Sequence, residues 1–199
     1  FLLGIIEDFT QSISPKLRIL GSILSAVIFI LVFEKSILSV GIEKIDQVLI
    51  QYHFSYIFTL LCITYIIQGF NIIDGLNGLS LITAILALIF MSILLYELGD
   101  FVNSKFSVYL IFILLGVLFF NFPLGKIFIG DSGAYIIGLY ISSLAIILSG
   151  CDISPFVIAQ ILIYPSYELF RSFLRRFMID KKSVLQPDRK HLHSILHIY

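Results

Sequence analysis

The chain has 199 residues, of which 59% are hydrophobic and only 13% charged. Soluble domains carry roughly a quarter of charged residues, so this composition excludes one and identifies an integral membrane protein. Its formal net charge of zero gives no electrostatic basis for binding nucleic acid, and the charges matter instead through their division between two membrane faces.

The first six residues, F-L-L-G-I-I, are too short to span a bilayer and have no basic start of the signal-peptide kind. They read as the end of a cut helix, with the expectation that further N-terminal helices precede them. A span needs about 20 mostly apolar residues, fewer where polar ends reach the interface. Six stretches meet this, from about Leu17 to Phe33, Phe54 to Phe70, Leu79 to Leu95, Phe106 to Phe122, Ala134 to Leu148 and Pro155 to Phe173. Each must be helical because lipid offers no partner to an unpaired backbone group. The predicted fold class is therefore all-α, a polytopic membrane helix bundle of about six complete spans plus the end of a cut one, forming a single domain over 1–199. The stretch from Ser36 to Gln51, with Glu43, Lys44 and Asp46, is too polar to span and reads as a surface loop or short interfacial element. Cys62 in an apolar run and Cys151 in a short loop make neither a ligand spacing nor a disulfide framework.

Alternating crossings put residues 7–16, 71–78, 123–133 and the basic, histidine-bearing segment 174–199 on one face. That face collects Lys16, Arg18, Lys126, Arg171, Arg175, Arg176, Lys181, Lys182, Arg189 and Lys190, whereas the other holds Lys35, Lys44 and Lys105. The positive-inside rule makes the first face cytoplasmic. The polar motifs all fall on it.

Glu7 and Asp8 form an acidic pair at the end of the first helical segment. Adjacent carboxylates repel, so the pair reads as holding a cation, taking a proton, or simply solvated at a helix end. Lys16 and Arg18 read either as interfacial anchors or as groups that hold a phosphate arriving from the lipid side. Between two spans lies N-I-I-D-G-L-N-G-L-S, Asn71 to Ser80. A buried Asp costs roughly 2.5–3.5 kcal/mol at a bilayer centre, so Asp74 belongs at a face or in a wet site. Asn71, Asp74 and Asn77 repeat every three residues, a spacing that puts all three on one side of a helical turn. The plainer alternative is a cap on the following helix.

Gly130, Asp131, Ser132 and Gly133 open another span after a loop with Asn121, Pro123 and Lys126. Asp131 reads equally as an N-cap or as a metal ligand, since Mg²⁺ typically takes one or two carboxylates plus phosphates and waters. The tail Q-P-D-R-K-H-L-H-S-I-L-H offers Arg and His donors to phosphate oxygens, or touches anionic lipid as a basic juxtamembrane segment. A zinc site there lacks a third ligand.

Taken together and in this order, N-I-I-D-G-L-N-G-L, F-I-G-D-S-G and P-D-R-K-H-L-H closely resemble the polyprenyl-phosphate N-acetylhexosamine-1-phosphate transferases, the bacterial branch of glycosyltransferase family four. The match runs from G-I-I-E-D at Gly4 to His193. The resemblance implies transfer of a sugar-1-phosphate from a UDP-N-acetylamino sugar to undecaprenyl or another polyprenyl phosphate, with release of UMP, as the first step of O-antigen or related cell-surface glycan synthesis. It implies Mg²⁺, with Mn²⁺ as a substitute, held by Asp131 and Asn71. It further implies that Asp74 orders the phosphate site, that Asn77 and Phe128 face the nucleotide, and that Arg189, His191 and His193 grip the diphosphate or sugar. Lys16 matches a lysine near the lipid phosphate. Family members carry Asp-Asp where this chain has Glu7 and Asp8; the resemblance implies a catalytic pair that activates or positions the lipid phosphate, with Asp8 as the direct match, alongside Asp74 and Asp131 as further catalytic residues. Many bacterial members have a further His where Ser194 stands, and H-L-H-S argues against the muramoyl-pentapeptide branch. The expected setting is a multi-pass protein of the inner membrane, in contact with lipid and compatible with a homo-oligomer. Two rival classes are a transporter or lipid carrier, which predicts charges deep in helices and often repeated halves, and a catalytically incomplete fragment or scaffold.

Overall fold

The computed structural model describes residues 1–51, 54–151 and 153–175. Nine helices and no strand occur among them: α1 (Leu2–Thr10), α2 (Pro15–Phe33), α3 (Glu43–Gln51), α4 (Phe54–Ile73), α5 (Leu79–Glu97), α6 (Phe101–Asn121), α7 (Gly130–Ser149), α8 (Pro155–Ile161) and α9 (Ile163–Leu174). Five of these, α2, α4, α5, α6 and α7, are long and apolar enough to cross a membrane.

The expected sixth span is present as two short helices. Leu162 separates α8 from α9, and Pro165 gives the reason. Its ring nitrogen cannot donate to the carbonyl of Ile161 one turn earlier, and the ring crowds that carbonyl. The stretch 36–51 resolves into an irregular connection and α3, whose acidic first turn holds Glu43 and Asp46 while Leu49 is buried. Asp46 fixes the preceding connection by accepting from Val40 N at 2.7 Å and from the Ser39 hydroxyl at 2.8 Å. The Val40 N–H is the main reason its carboxyl lies below the ordinary value.

Helices α4, α5 and α7 form the centre. Phe70, Ile73, Leu81, Leu88, Met91, Ile141 and Leu144 pack there with essentially no exposed surface. Half of the spanning residues of α5 and α7 are buried, against 17% for α2 and α6. The outer helices instead turn residues such as Leu31, Val32, Phe112 and Phe119 outward, as expected where lipid is as apolar as the core. Helix crossings are tight where one partner is glycine. A Cβ at Gly138 would lie 2.8 Å from Ile67 Cα, and one at Gly69 would lie 2.9 Å from the carbonyl oxygen of Pro165. Small residues let backbones approach, which raises dispersion contact where no hydrophobic effect separates helix from lipid.

Candidate active site

Three connections, α1–α2, α4–α5 and α6–α7, meet at the N-terminus of α7. Helix α1 is brought there by Gly4, whose missing side chain would otherwise sit 2.3 Å from Ser132 Cα. One turn later, Asp8 Oδ1 accepts from Asp131 N at 2.8 Å and its Oδ2 from Ser132 N at 3.1 Å. These are two of the N–H groups that an α-helix leaves unpaired at its start. Asp8 thus caps α7 from another helix, and its charge suits the positive end of the helix dipole. Gly130 has φ +66° and no side chain, and a Cβ there would lie 2.7 Å from the Asp8 carboxylate.

The N-cap reading of Asp131 is corrected by this arrangement. Asp131 lies in the first turn, and Ile129 at the N-cap position makes no side-chain cap bond. With its backbone N–H satisfied by Asp8, the Asp131 side chain is turned to other partners. Its Oδ1 accepts from Asn71 Nδ2 at 2.9 Å, and its Oδ2 lies 3.1 Å from Arg18 Nη1 and 3.3 Å from the Tyr135 hydroxyl. Arg18 also pairs through Nη2 with Glu7 Oε1. Glu7 is buried and accepts from Ile13 N at 2.7 Å. The acidic pair has therefore split its work, Glu7 inward to Arg18 and Asp8 outward to α7.

The three-residue repeat of Asn71, Asp74 and Asn77 does not place them on one helical face, because α4 ends at Ile73 and a turn follows. Asn71, in the last turn of α4, reaches Asp131. Asp74 accepts from the Ser80 hydroxyl. Asn77 donates to the carbonyl of Pro123 at 3.1 Å. Neither Asn71 nor Asp74 caps α5, whose N-cap is Gly78 at φ +82°. Burial is the main reason the Asp74 carboxyl is pushed up to about 6; the negative charges of Asp131 and Asp8 add to it and the Ser80 hydrogen bond opposes it.

Lys16 is exposed in the first turn of α2, and Phe128 is exposed just ahead of α7. Arg189, His191 and His193 fall outside the described residues. Among the described residues no three His, Cys, Asp or Glu side chains gather as a metal cage. Asp131 with Asn71 is instead a small oxygen-bearing set next to Asp8, which suits a hard cation that keeps several of its waters.

Residues to which the sequence reading gave no role complete the site. Asn121, 4% exposed, accepts from Gly78 N at 2.5 Å and donates to the carbonyl of Ile127 at 2.7 Å, so one carboxamide ties the α4–α5 turn to the loop before α7. Ser80 holds Asp74, and Tyr135 lies one turn beyond Asp131 on α7. A carboxamide at the end of an apolar span, on the side that carries the other polar motifs, was the available signal for Asn121. Tyr135 and Ser80 carry no such mark among similar residues nearby.

The sequence model for glycosyl transferase family 4 matches residues 1–149. The chain belongs to this family. It is also similar to three kinds of named relative. One is the undecaprenyl-phosphate alpha-N-acetylglucosaminyl 1-phosphate transferase of Thermotoga maritima, 28% identical over 98% of this chain and 57% of that protein. Another is the decaprenyl-phosphate N-acetylglucosaminephosphotransferase of Mycolicibacterium smegmatis, 29% identical over 98% of this chain and 53% of that protein. The third is the phospho-N-acetylmuramoyl-pentapeptide-transferase of a Geobacillus strain, 28% identical over 73% of this chain and 48% of that protein. The chain spans about half the length of these family relatives. All three relatives are named as transferases, and two are named for a polyprenyl phosphate.

Proposed function

We propose that the protein transfers an N-acetylhexosamine-1-phosphate from a UDP-sugar to a polyprenyl phosphate at the cytoplasmic face of the inner membrane, starting a cell-surface glycan. The observation that carries this reading is the convergence of Asp8, Arg18 and Asn71, from three separate segments, on Asp131. In the reaction a phosphate oxygen of the lipid attacks the β-phosphorus of the donor. The bond from that phosphorus to the bridging oxygen breaks, and UMP leaves with the electron pair.

A phosphate monoester has its second pKa near ~6 and is largely dianionic at neutral pH, so the nucleophile needs no strong base. The chain's task is then to position two anions and offset their repulsion. Asp131 and Asn71 would hold Mg²⁺, or Mn²⁺ in its place, with the carboxamide of Asn71 turned to present its oxygen. An ion held there would supply positive charge to offset that developing on the diphosphate. Glu7 fixes Arg18, and Asp8 fixes the first turn of α7, so both acidic residues act through position. Lys16, exposed at the start of α2, suits the lipid phosphate. Asp74 orders the turn that carries Asn77, and Asn77 with Phe128 suits the nucleotide. Arg189, His191 and His193 add donors for the diphosphate or sugar.

The test is transfer of radiolabelled sugar-phosphate from UDP-GlcNAc and other UDP-N-acetylamino sugars to undecaprenyl phosphate by the full chain, with mass spectrometry of the lipid product. Asp131→Asn is expected to lower turnover by roughly 100-fold or more. Turnover at the wild-type level in that variant would remove Asp131 from the mechanism, and flux across proteoliposomes without a covalent lipid product would favour a transporter.

A further inference from the structure

Arg18 lies at the entrance of a spanning helix and is drawn between two carboxylates. Nη2 meets Glu7 Oε1, Nη1 lies 3.1 Å from Asp131 Oδ2, and Nε is buried with no hydrogen-bond partner among the described residues. The Asp131 carboxylate is correspondingly full. Asn71 Nδ2 at 2.9 Å supplies Oδ1, and the Tyr135 hydroxyl at 3.3 Å shares Oδ2 with Arg18. A divalent cation needs those lone pairs, and it needs Asn71 to present an oxygen rather than an N–H. A guanidinium within 3.1 Å of the same carboxylate oxygen would also repel the incoming ion.

We infer that Arg18 occupies the Asp131 carboxylate as an internal cation, which a divalent ion displaces, and that Glu7 retains the guanidinium after the exchange. The inference rests on the reading of Asp131 and Asn71 as the metal-holding pair. Glu7 is suited to the retaining role because it is 7% exposed and is itself held by Ile13 N at 2.7 Å. Exchange frees Nη1, while Nε already lacks a partner. The Nη1 N–H groups then become available to a phosphate oxygen arriving with the ion. The same contact offsets the charge of the partly exposed Asp131 carboxylate until an ion takes its place.

The experiment is Mn²⁺ titration of the full chain in detergent micelles, with free Mn²⁺ read by electron paramagnetic resonance, so that no turnover is required. Wild type is compared with Arg18→Gln and Asp131→Asn. A second pair, Glu7→Gln and Glu7→Gln/Arg18→Gln, removes Arg18 where no buried carboxylate is left alone, which covers the case in which Arg18→Gln does not fold. Loss of Arg18 is expected to tighten Mn²⁺ binding by about two- to fivefold in either background, the range for breaking one partly exposed charge pair. Unchanged or weaker binding in the variants lacking Arg18, with Asp131→Asn abolishing binding, overturns the exchange and leaves the metal site standing. Wild-type Mn²⁺ affinity in Asp131→Asn overturns the metal reading itself.

Discussion

Asp74 sits in an environment that disfavours its charge, and the direction of that effect gives a measurable pH dependence. Its carboxyl is pushed from the ordinary 3.8 up to about 6, first by burial and then by the nearby charges of Asp131 and Asp8. In the unfolded chain it titrates near the ordinary value. Between 3.8 and about 6, therefore, the folded protein holds a proton that the unfolded chain has lost. Stability falls as pH rises through that window, and the whole deficit persists above it. Asp74→Asn removes the charge and keeps an oxygen for the Ser80 hydroxyl. It is expected to melt at a higher temperature than wild type at about pH 7.5, with the gap closing at about pH 4. Thermal unfolding in detergent across that range checks this, and a gap independent of pH would show that ionisation of Asp74 is not its source. Asn71 and Asp131 were legible as a pair through the family resemblance, since residue type and helix-end position alone left the partner of Asp131 open. Which of the two carboxylates at the end of α1 faces inward was not, because Glu7 and Asp8 differ in burial through contacts made by Arg18 and by the first turn of α7.

The cap on α7 is supplied across 123 residues of sequence, and it accounts for what local patterns missed. An N-cap is ordinarily sought in the residues immediately before a helix, and there F-I-G offers no side-chain acceptor. Asp8→Ala is expected to destabilise the protein by about 1 kcal/mol, as loss of an N-cap usually does, whereas Asp8→Asn retains one acceptor and most of the stability. Gly130→Ala should be at least as damaging as Asp8→Ala, because it adds a Cβ at φ +66° against the same carboxylate. Melting temperatures of the three variants rank them, and Asp8→Ala matching wild type would remove the cap from the account. Five spans and their order follow from apolar length alone. The break between α8 and α9 follows from Pro165, a breaker visible in the sequence whose effect a search for apolar length passes over. The turn after Ile73 was hidden for a different reason. A repeat of three fits a helix and a turn alike, and Gly75 and Gly78 favour the turn.

At the scale of the whole molecule, the α1–α2, α4–α5 and α6–α7 connections meet through side-chain bonds at one end of the bundle, which requires them to lie on one membrane face. Lys16, Arg18 and Lys126 belong to that end, and Arg171 and Arg175 lie in the last described turns beyond α9's contact with Gly69. Lys35, Lys44 and Lys105 lie on connections or helix starts of the opposite end. This asymmetry predicts a cytoplasmic site, where, on the proposed function, a water-soluble nucleotide sugar would meet a phosphate carried in lipid. The chain contains its own reporter for the other face, since Cys151 is exposed in the turn after α7 while Cys62 lies half-buried within α4. In intact spheroplasts a membrane-impermeant maleimide should label Cys151. A cysteine placed at Ser12, exposed between α1 and α2, in a background of Cys62→Ser and Cys151→Ser should react only after permeabilisation. The reverse pattern would put the Asp131 cluster outside the cell. The same residues would then face a compartment in which a UDP-sugar donor must first be exported, and the transferase reading would lose the topology on which it depends.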